Sequence, residues 1–227
     1  MDALGVLTIL AFGLLILGIF LLGRYLQRRK RAEFQAWADA HGWSYRPRDD
    51  RWAGHFRAPL FHRGHRRGAH HVVEGSHRGR RLVVFEYFYV ERQGSGKNRR
   101  NVTYRFAVAS VFTPAPRPTL EVSREHVGHR LLGVFGVKDL QLESEEFNRA
   151  FRIQTEDDRF AYDILHPRTM EWMLGDERFK ALPFRIDNGD LMSWRQGRLR
   201  PADIAPLATF VVDILERVPD YVWQNRT

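Results

Sequence analysis

The residue types that could do chemistry crowd into residues 46–81, which hold ten arginines, three acids and six of the ten histidines. Those histidines are His55, His62, His65, His70, His71 and His77. Neutral imidazoles converging in space would make a metal site. His62 and His65 are three apart, as on one helix face, but the surrounding arginines and glycines disfavour a helix there. His70 and His71 are adjacent, so in a strand they should point to opposite faces. His126 and His129 are also three apart, but Glu125 precedes His126, so the H-E-x-x-H order of zinc hydrolases is absent. These spacings predict no metal site and no cofactor. The chain has no cysteine, which excludes disulfides, thiolate metal sites and cysteine nucleophiles.

Other catalytic patterns are missing as well. There is no G-x-S-x-G nucleophile elbow and no G-x-G-x-x-G dinucleotide fingerprint. The glycine run GSGKN at 94–98 lacks the spacing and hydroxyl of a phosphate loop, and lies between two strand patterns. The acidic pairs Glu145-Glu146 and Asp157-Asp158 stand where helices begin, and favourable placement at a positive helix end accounts for them. What remains is anion binding by arginine. Arginines interleaved with Trp52, Phe56 and Phe61 could bind nucleic-acid phosphates and bases, yet no helix-turn-helix or RNA-recognition signature accompanies them. Lipid phosphate is the nearer anion, because of what precedes the block.

Leu4 to Leu22 is nineteen residues without a charge, with Thr8 the single hydroxyl. At about 1.5 Å per residue it spans the roughly 30 Å hydrocarbon core. The flank before it carries Asp2 and no basic side chain, and no small-residue cleavage site follows, so it reads as an uncleaved anchor over 1–23. Arg24, Arg28, Arg29, Lys30 and Arg31 follow at once, which by the positive-inside rule places the C-terminal part in the cytoplasm of a single-pass inner-membrane protein. Residues 24–105 hold 20 basic and 7 acidic side chains, whereas 106–227 hold 16 basic and 19 acidic, so the formal charge of +9 belongs to the membrane-proximal half. Arg24, Arg28, Arg29, Lys30, Arg31, Arg63, Arg66 and Arg67 are the candidate contacts for anionic headgroups.

These groups must be positioned by the elements that follow. A basic helical stem is expected over 24–42, ended by Gly42, with Phe34, Trp37, Ala38 and His41 on one face that could dock on the domain, lie in the interface or pair with another copy, docking being preferred. Residues 43–227 read as an α+β domain with antiparallel strands and packed helices. HHVVEGS and RRLVVFEYFYVERQ form a hairpin through His77-Arg78-Gly79, and the second strand is apolar on both faces, hence central. VTYRFAVASVF pairs with it; Pro114, Pro116 and Pro118 then break the sheet before TLEV. Ser123 is expected to cap a helix over 124–134, Ser144 a short helix, and Thr155 with Asp158 a capping box. Pro167 starts a helix that Gly175 ends. Asn188-Gly189 predicts a type I′ hairpin, and an amphipathic helix over about 203–217 either takes Pro206 in its first turn or is kinked by it.

The stretch 139–174 contains Glu146-Phe147, Phe151, Asp157-Asp158, Ala161, Ile164-Leu165, Pro167 and Met170 in a recognisable order. With GWSYRP, HRGR, FEYFYVE and VPDYVW, it resembles an uncharacterised family of bacterial, actinobacterial-type membrane-anchored proteins that share a domain of unknown function. The resemblance implies an anchor plus a cytoplasmic α+β domain, and it brings no activity or catalytic residue. The function expected is a non-enzymatic module binding a protein partner or anionic lipid. The alternative is an enzyme with its site in the Arg/His-rich region 55–81.

Overall fold

The computed structural model describes residues 3–124 and 138–224. In chain order its elements are helix α1 (Ala3–His41), strand β1 (Ser44–Arg48), helix α2 (Arg51–His55), strands β2 (Arg66–His77), β3 (Arg80–Gln93), β4 (Arg100–Phe112), β5 (Leu120–Arg124) and β6 (Lys138–Leu140), helix α3 (Glu145–Ala150), strand β7 (Phe151–Thr155), helices α4 (Asp158–Ile164) and α5 (Pro167–Gly175), strands β8 (Phe184–Asp187) and β9 (Asp190–Gln196), and helix α6 (Pro201–Arg217). The strands form one sheet in the order β1-β2-β3-β4-β9-β8-β5-β7-β6, and every neighbouring pair is antiparallel. The fold class is α+β, as the alternation of patterns predicts.

Helix α1 is unbroken over 39 residues, about 58 Å at 1.5 Å per residue, and so runs from the apolar segment through the stem. Its end is a Schellman motif. Gly42 takes φ +68, Trp43 N donates to Ala38 O at 2.9 Å and Gly42 N to Asp39 O at 3.3 Å. The apolar contact that accompanies this motif is present: Trp43 meets Trp37 edge-on, with ring centroids 5.4 Å apart. Phe34 and Ala38 are fully buried in the domain core, so the stem face docks on the sheet.

Strand β3 lies between β2 and β4, and its alternation feeds two cores. Val83, Phe85, Tyr87 and Tyr89 pack with Trp52, Phe56 and Phe61 on one side. Leu82 and Val84 pack on the other with α1 and with α6, whose Ile204, Leu207, Phe210, Val211 and Leu215 are all buried. Two tight turns take the left-handed conformations their sequences suit: Arg78 and Gly79 at φ +50 and +74, Asn188 and Gly189 at φ +48 and +98.

Several local expectations are corrected. The expected capping box does not form: Asp157, not Thr155, caps α4 by accepting from Phe160 N at 3.1 Å, while Thr155 closes β7 and its hydroxyl donates to Thr119 O. Ser123 is a buried strand residue of β5 opposite Arg152, and the helix expected over 124–134 lies outside the described residues apart from Arg124, which ends β5. Helix α6 begins at Pro201, since Asp203 accepts from the Arg200 amide at 3.0 Å, so Pro206 falls in its second turn. Ser144 caps α3, and Pro167 opens the helix that ends at Gly175, as expected.

Candidate membrane-proximal surface

The place where α1 meets the sheet is built around Glu86. This residue alternates onto the α1 side of β3 and is only 3% exposed. Its carboxylate accepts from Arg105 Nη1 at 2.8 Å and from the Leu199 amide at 3.0 Å, and Lys30 Nζ lies 3.6 Å away. Two donors, from β4 and the loop before α6, together with the nearby Lys30 cation of α1, thus satisfy a carboxylate that burial alone would make costly.

Beside it the register of β2 shifts between His70 and Val73, and His71 adopts φ +49. A bulge inserts an extra residue, so the expected opposition of His70 and His71 does not occur. His70 stands opposite Glu86, while the His71 ring stacks on Phe34 at 4.3 Å and its Nδ1 is 2.9 Å from the Tyr45 hydroxyl. Both imidazoles therefore lie on the α1 side. Burial pushes the pKa of His71 down to about 4, helped by the positive charge of Lys30 and opposed by Glu86. Burial also lowers His70, with Arg48 contributing, and raises Tyr45 to about 12. The stem is held by neutral rings and one buried carboxylate.

The sequence-predicted anion contacts divide into groups. Arg24 lies over the Phe20 ring at 5.5 Å, Arg28 and Arg31 are exposed, and Arg29 pairs with Glu33 one turn on at 3.3 Å. Lys30 is turned inward to Glu86 and sits 5.7 Å over the Phe34 ring. Arg63 is half-buried and hydrogen-bonds Tyr89, whereas Arg66 and Arg67 are exposed on the first two residues of β2. The structure does not bring the stem arginines into contact with Arg66 and Arg67, but it does give both groups a common direction. Along α1, Trp37 packs on Trp43, which lies against Gly75; Phe34 stacks on His71; Lys30 reaches Glu86, opposite His70. Followed back toward the apolar segment, the helix therefore runs toward the Arg66 end of β2.

That end of the sheet also collects residues to which the sequence gave no role. Arg66 pairs with Val90, Arg92 with Asn101, Arg100 with Gln93, and Phe106 with Gln196, just before the loop carrying Arg198. Arg92, Arg99, Arg100 and Arg198 are exposed. The available signal was the RR pair at 99–100, which sits at the far end of a hairpin whose strands are long enough to project.

The remaining described histidines do not assemble a catalytic centre, and His126 and His129 lie outside the described residues. Among the described residues no group of three or more His, Asp or Glu side chains could hold a metal ion. His62 and His65 are exposed, and the His77 ring lies 3.1 Å from the Thr209 hydroxyl. His55 Nε2 is 2.7 Å from Asp190 Oδ2, whose pKa burial raises against the opposing influence of His55. Ser110 Oγ donates to the other oxygen of Asp190 at 3.1 Å, so the hydroxyl is on the acid and not on the imidazole. A nucleophile and its base need that missing link. The open cleft of about 330 Å³ in this region is lined by residues including Trp52, Glu74, Arg81 and Phe112, and by no histidine.

With this geometry in hand, comparison with known proteins is informative on one point. No family model matches the chain, and no curated protein does. A solved structure does: the crystal structure of the mycobacterial trehalose monomycolate transport factor A, TtfA, at 12% identity and TM-score 0.61, over 85% of this chain and 97% of that one. The two share a fold. The neighbour is actinobacterial, in keeping with the actinobacterial type of the sequence resemblance. Among the described residues, one helix is long and apolar enough to cross a membrane, and it is α1.

Proposed function

We propose that this protein is a single-pass inner-membrane protein that presents a non-enzymatic binding domain at the cytoplasmic face, for a protein partner or for anionic lipid headgroups. The observation that carries the reading is the continuity of α1. One helix leaves the apolar segment and, without a break, buries Phe34 and Ala38 in the core and brings Lys30 to Glu86. A flexible linker would let the domain wander. This stem fixes its height and orientation over the bilayer, which matters for a surface that must meet something at the membrane. In this reading the anchor is 1–23, the basic stem 24–42 and the domain 43–227, with the folded unit drawing on the stem from about Lys30 onward. Arg24, Arg28, Arg29 and Arg31 lie nearest the headgroups, with Arg63, Arg66 and Arg67 on the domain. Lys30 instead fastens the stem. The fold neighbour is named a transport factor, which supports an accessory role in place of turnover.

The chain is free of cysteine, so a single engineered thiol reports its side of the membrane without background. Tyr162, 48% exposed on α4, is a suitable position. Tyr162→Cys should react with a membrane-impermeant maleimide in inverted vesicles and not in intact cells. Labelling of intact cells overturns the cytoplasmic placement.

A further inference from the structure

We propose that the end of the sheet from which α1 departs rests directly on the anionic leaflet, through the β3–β4 hairpin and the β9–α6 loop, with Arg92, Arg99, Arg100 and Arg198 as the headgroup contacts. The inference rests on the reading of α1 as a membrane anchor, and holds whichever face of the membrane the domain occupies.

Three independent observations converge. The first is direction: α1 traverses the sheet from Gly75 and Trp43 toward Glu86, so the bilayer lies beyond the Arg66 end of β2, where β3 ends and β4 begins. The second is reach. Strand β2 begins opposite Val90 and β9 ends opposite Phe106, so the hairpin projects past both neighbours. From Glu86 to Gln93 it extends about 23 Å, against about 12 Å of helix from Lys30 back to Leu22. The hairpin therefore meets the headgroup plane even where its axis diverges from the helix by about 60°, since half of its length still equals the stem.

The third is the distribution of neutralised charge. At the opposite end, Arg78 is paired with Asp213 at 2.7 Å and Glu216 at 3.3 Å, while Arg80 and Arg81 beside it form no ion pair and Arg81 lies over the Phe112 ring. Arg178 holds Asp176 and Asp213, and along β1 and α2 Arg46 and Arg51 share Asp49 and Glu74. At the departing end, among the described residues, Arg92, Arg99, Arg100 and Arg198 form no ion pair, nor does Arg66. Residues 90–103 contain one acid, Glu91, and the carboxylate of Asp203 is engaged by Arg195 and Arg200. Self-repelling cations left without carboxylates are costly in solution and favourable near a negative surface potential, which decays within a Debye length. Proximity to the membrane makes lipid phosphate, not nucleic acid, the anion they meet. Hairpin and helix together then form two supports, so the contact also fixes the tilt of α1.

The test uses the full chain reconstituted in vesicles, with a fluorophore on a single thiol at Ser95→Cys, in the hairpin loop, or at Ser76→Cys, an exposed position toward the opposite end of the sheet. Phosphatidylcholine vesicles containing phosphatidylglycerol and a headgroup spin-labelled lipid should quench the probe at 95 strongly and that at 76 weakly. Replacing Arg92, Arg99, Arg100 and Arg198 together by glutamine should shrink the difference to what the direction of α1 alone gives. Each removed cation shifts the balance of seated over lifted domain by about five-fold. Raising the salt to about 1 M, where the Debye length is about 3 Å, should act in the same direction. Equal quenching at the two positions overturns the proposal. So does a hairpin signal that is undiminished in phosphatidylcholine alone, because the arginines would then serve a protein or nucleic-acid partner. A failed topology experiment with an intact quenching difference would remove only the cytoplasmic reading.

Discussion

The ammonium of Lys30, on the helix that enters the membrane, lies 3.6 Å from a Glu86 carboxylate buried in the middle of the sheet. Sequence position makes Lys30 a member of the basic cluster that follows the apolar segment; its contact makes it part of the fold. The anchor and domain are thereby one mechanical unit, and changes at the joint should be felt as loss of stability and not only as loss of membrane attachment.

Glu86→Ala should destabilise the protein by about 2–3 kcal/mol, because it strands the Leu199 amide and leaves Arg105 and Lys30 facing one another. Lys30→Met should cost less, about 1 kcal/mol, since the carboxylate keeps two good donors. Urea unfolding of the full chain in detergent measures both. A larger effect from the lysine change would mean that the stem attachment, and not the Arg105 pair, dominates this cluster.

Phe34→Ala removes a fully buried ring stacked on His71 and Tyr45, and should cost about 3–5 kcal/mol. The same reasoning predicts that a chain beginning at Lys30 unfolds at higher urea than one beginning at Trp43, which lacks both Phe34 and Ala38. Equal midpoints would show the stem to be dispensable to the core.

Much of this was legible because it rests on short-range pattern. The double-faced β3, the Asn188-Gly189 turn, the Ser144 cap and the docked stem face all follow from periodicity and turn chemistry within a few residues. The misreadings have physical causes. Strand β7 was hidden because Phe151–Thr155 offers only five residues between two helices. The His70–His71 alternation failed because a bulge is set by tertiary fit against α1 and has no local signature. The role proposed for Arg92 and Arg100 was invisible because it depends on the direction in which α1 leaves the sheet, a relation between elements far apart in the chain.

Gly75→Ala probes that fit from the other side. A Cβ at this position would stand 2.3 Å from the Trp43 ring, whose edge-on contact with Trp37 accompanies the end of α1. The indole must move, so a cost of about 1–3 kcal/mol is expected, with a shift in tryptophan emission. Wild-type stability together with unchanged emission would show that the ring can move aside freely and that the cap does not depend on it.

The neutral His71 should make stability fall on mild acidification. In the folded chain its pKa is held down to about 4 from the ordinary 6.5 by burial first, then by Lys30, His70 and Arg31, with Glu86 opposing. Tyr45 and Phe34 complete its surroundings. Between those two values the unfolded chain binds a proton that the folded chain does not, so the contribution is full above about pH 6.5 and declines until pH approaches 4. His71→Asn removes the titration while tolerating φ +49, because asparagine is among the residues that occupy this region. From about pH 7 to about pH 5, the wild-type urea midpoint should therefore fall further than that of His71→Asn. Carboxylates and His70 titrate in both proteins, so the difference between the two slopes isolates this ring. Parallel slopes would show that His71 opens to water before it is protonated, and that the seal between α1 and the sheet is looser than its 4.3 Å stacking implies.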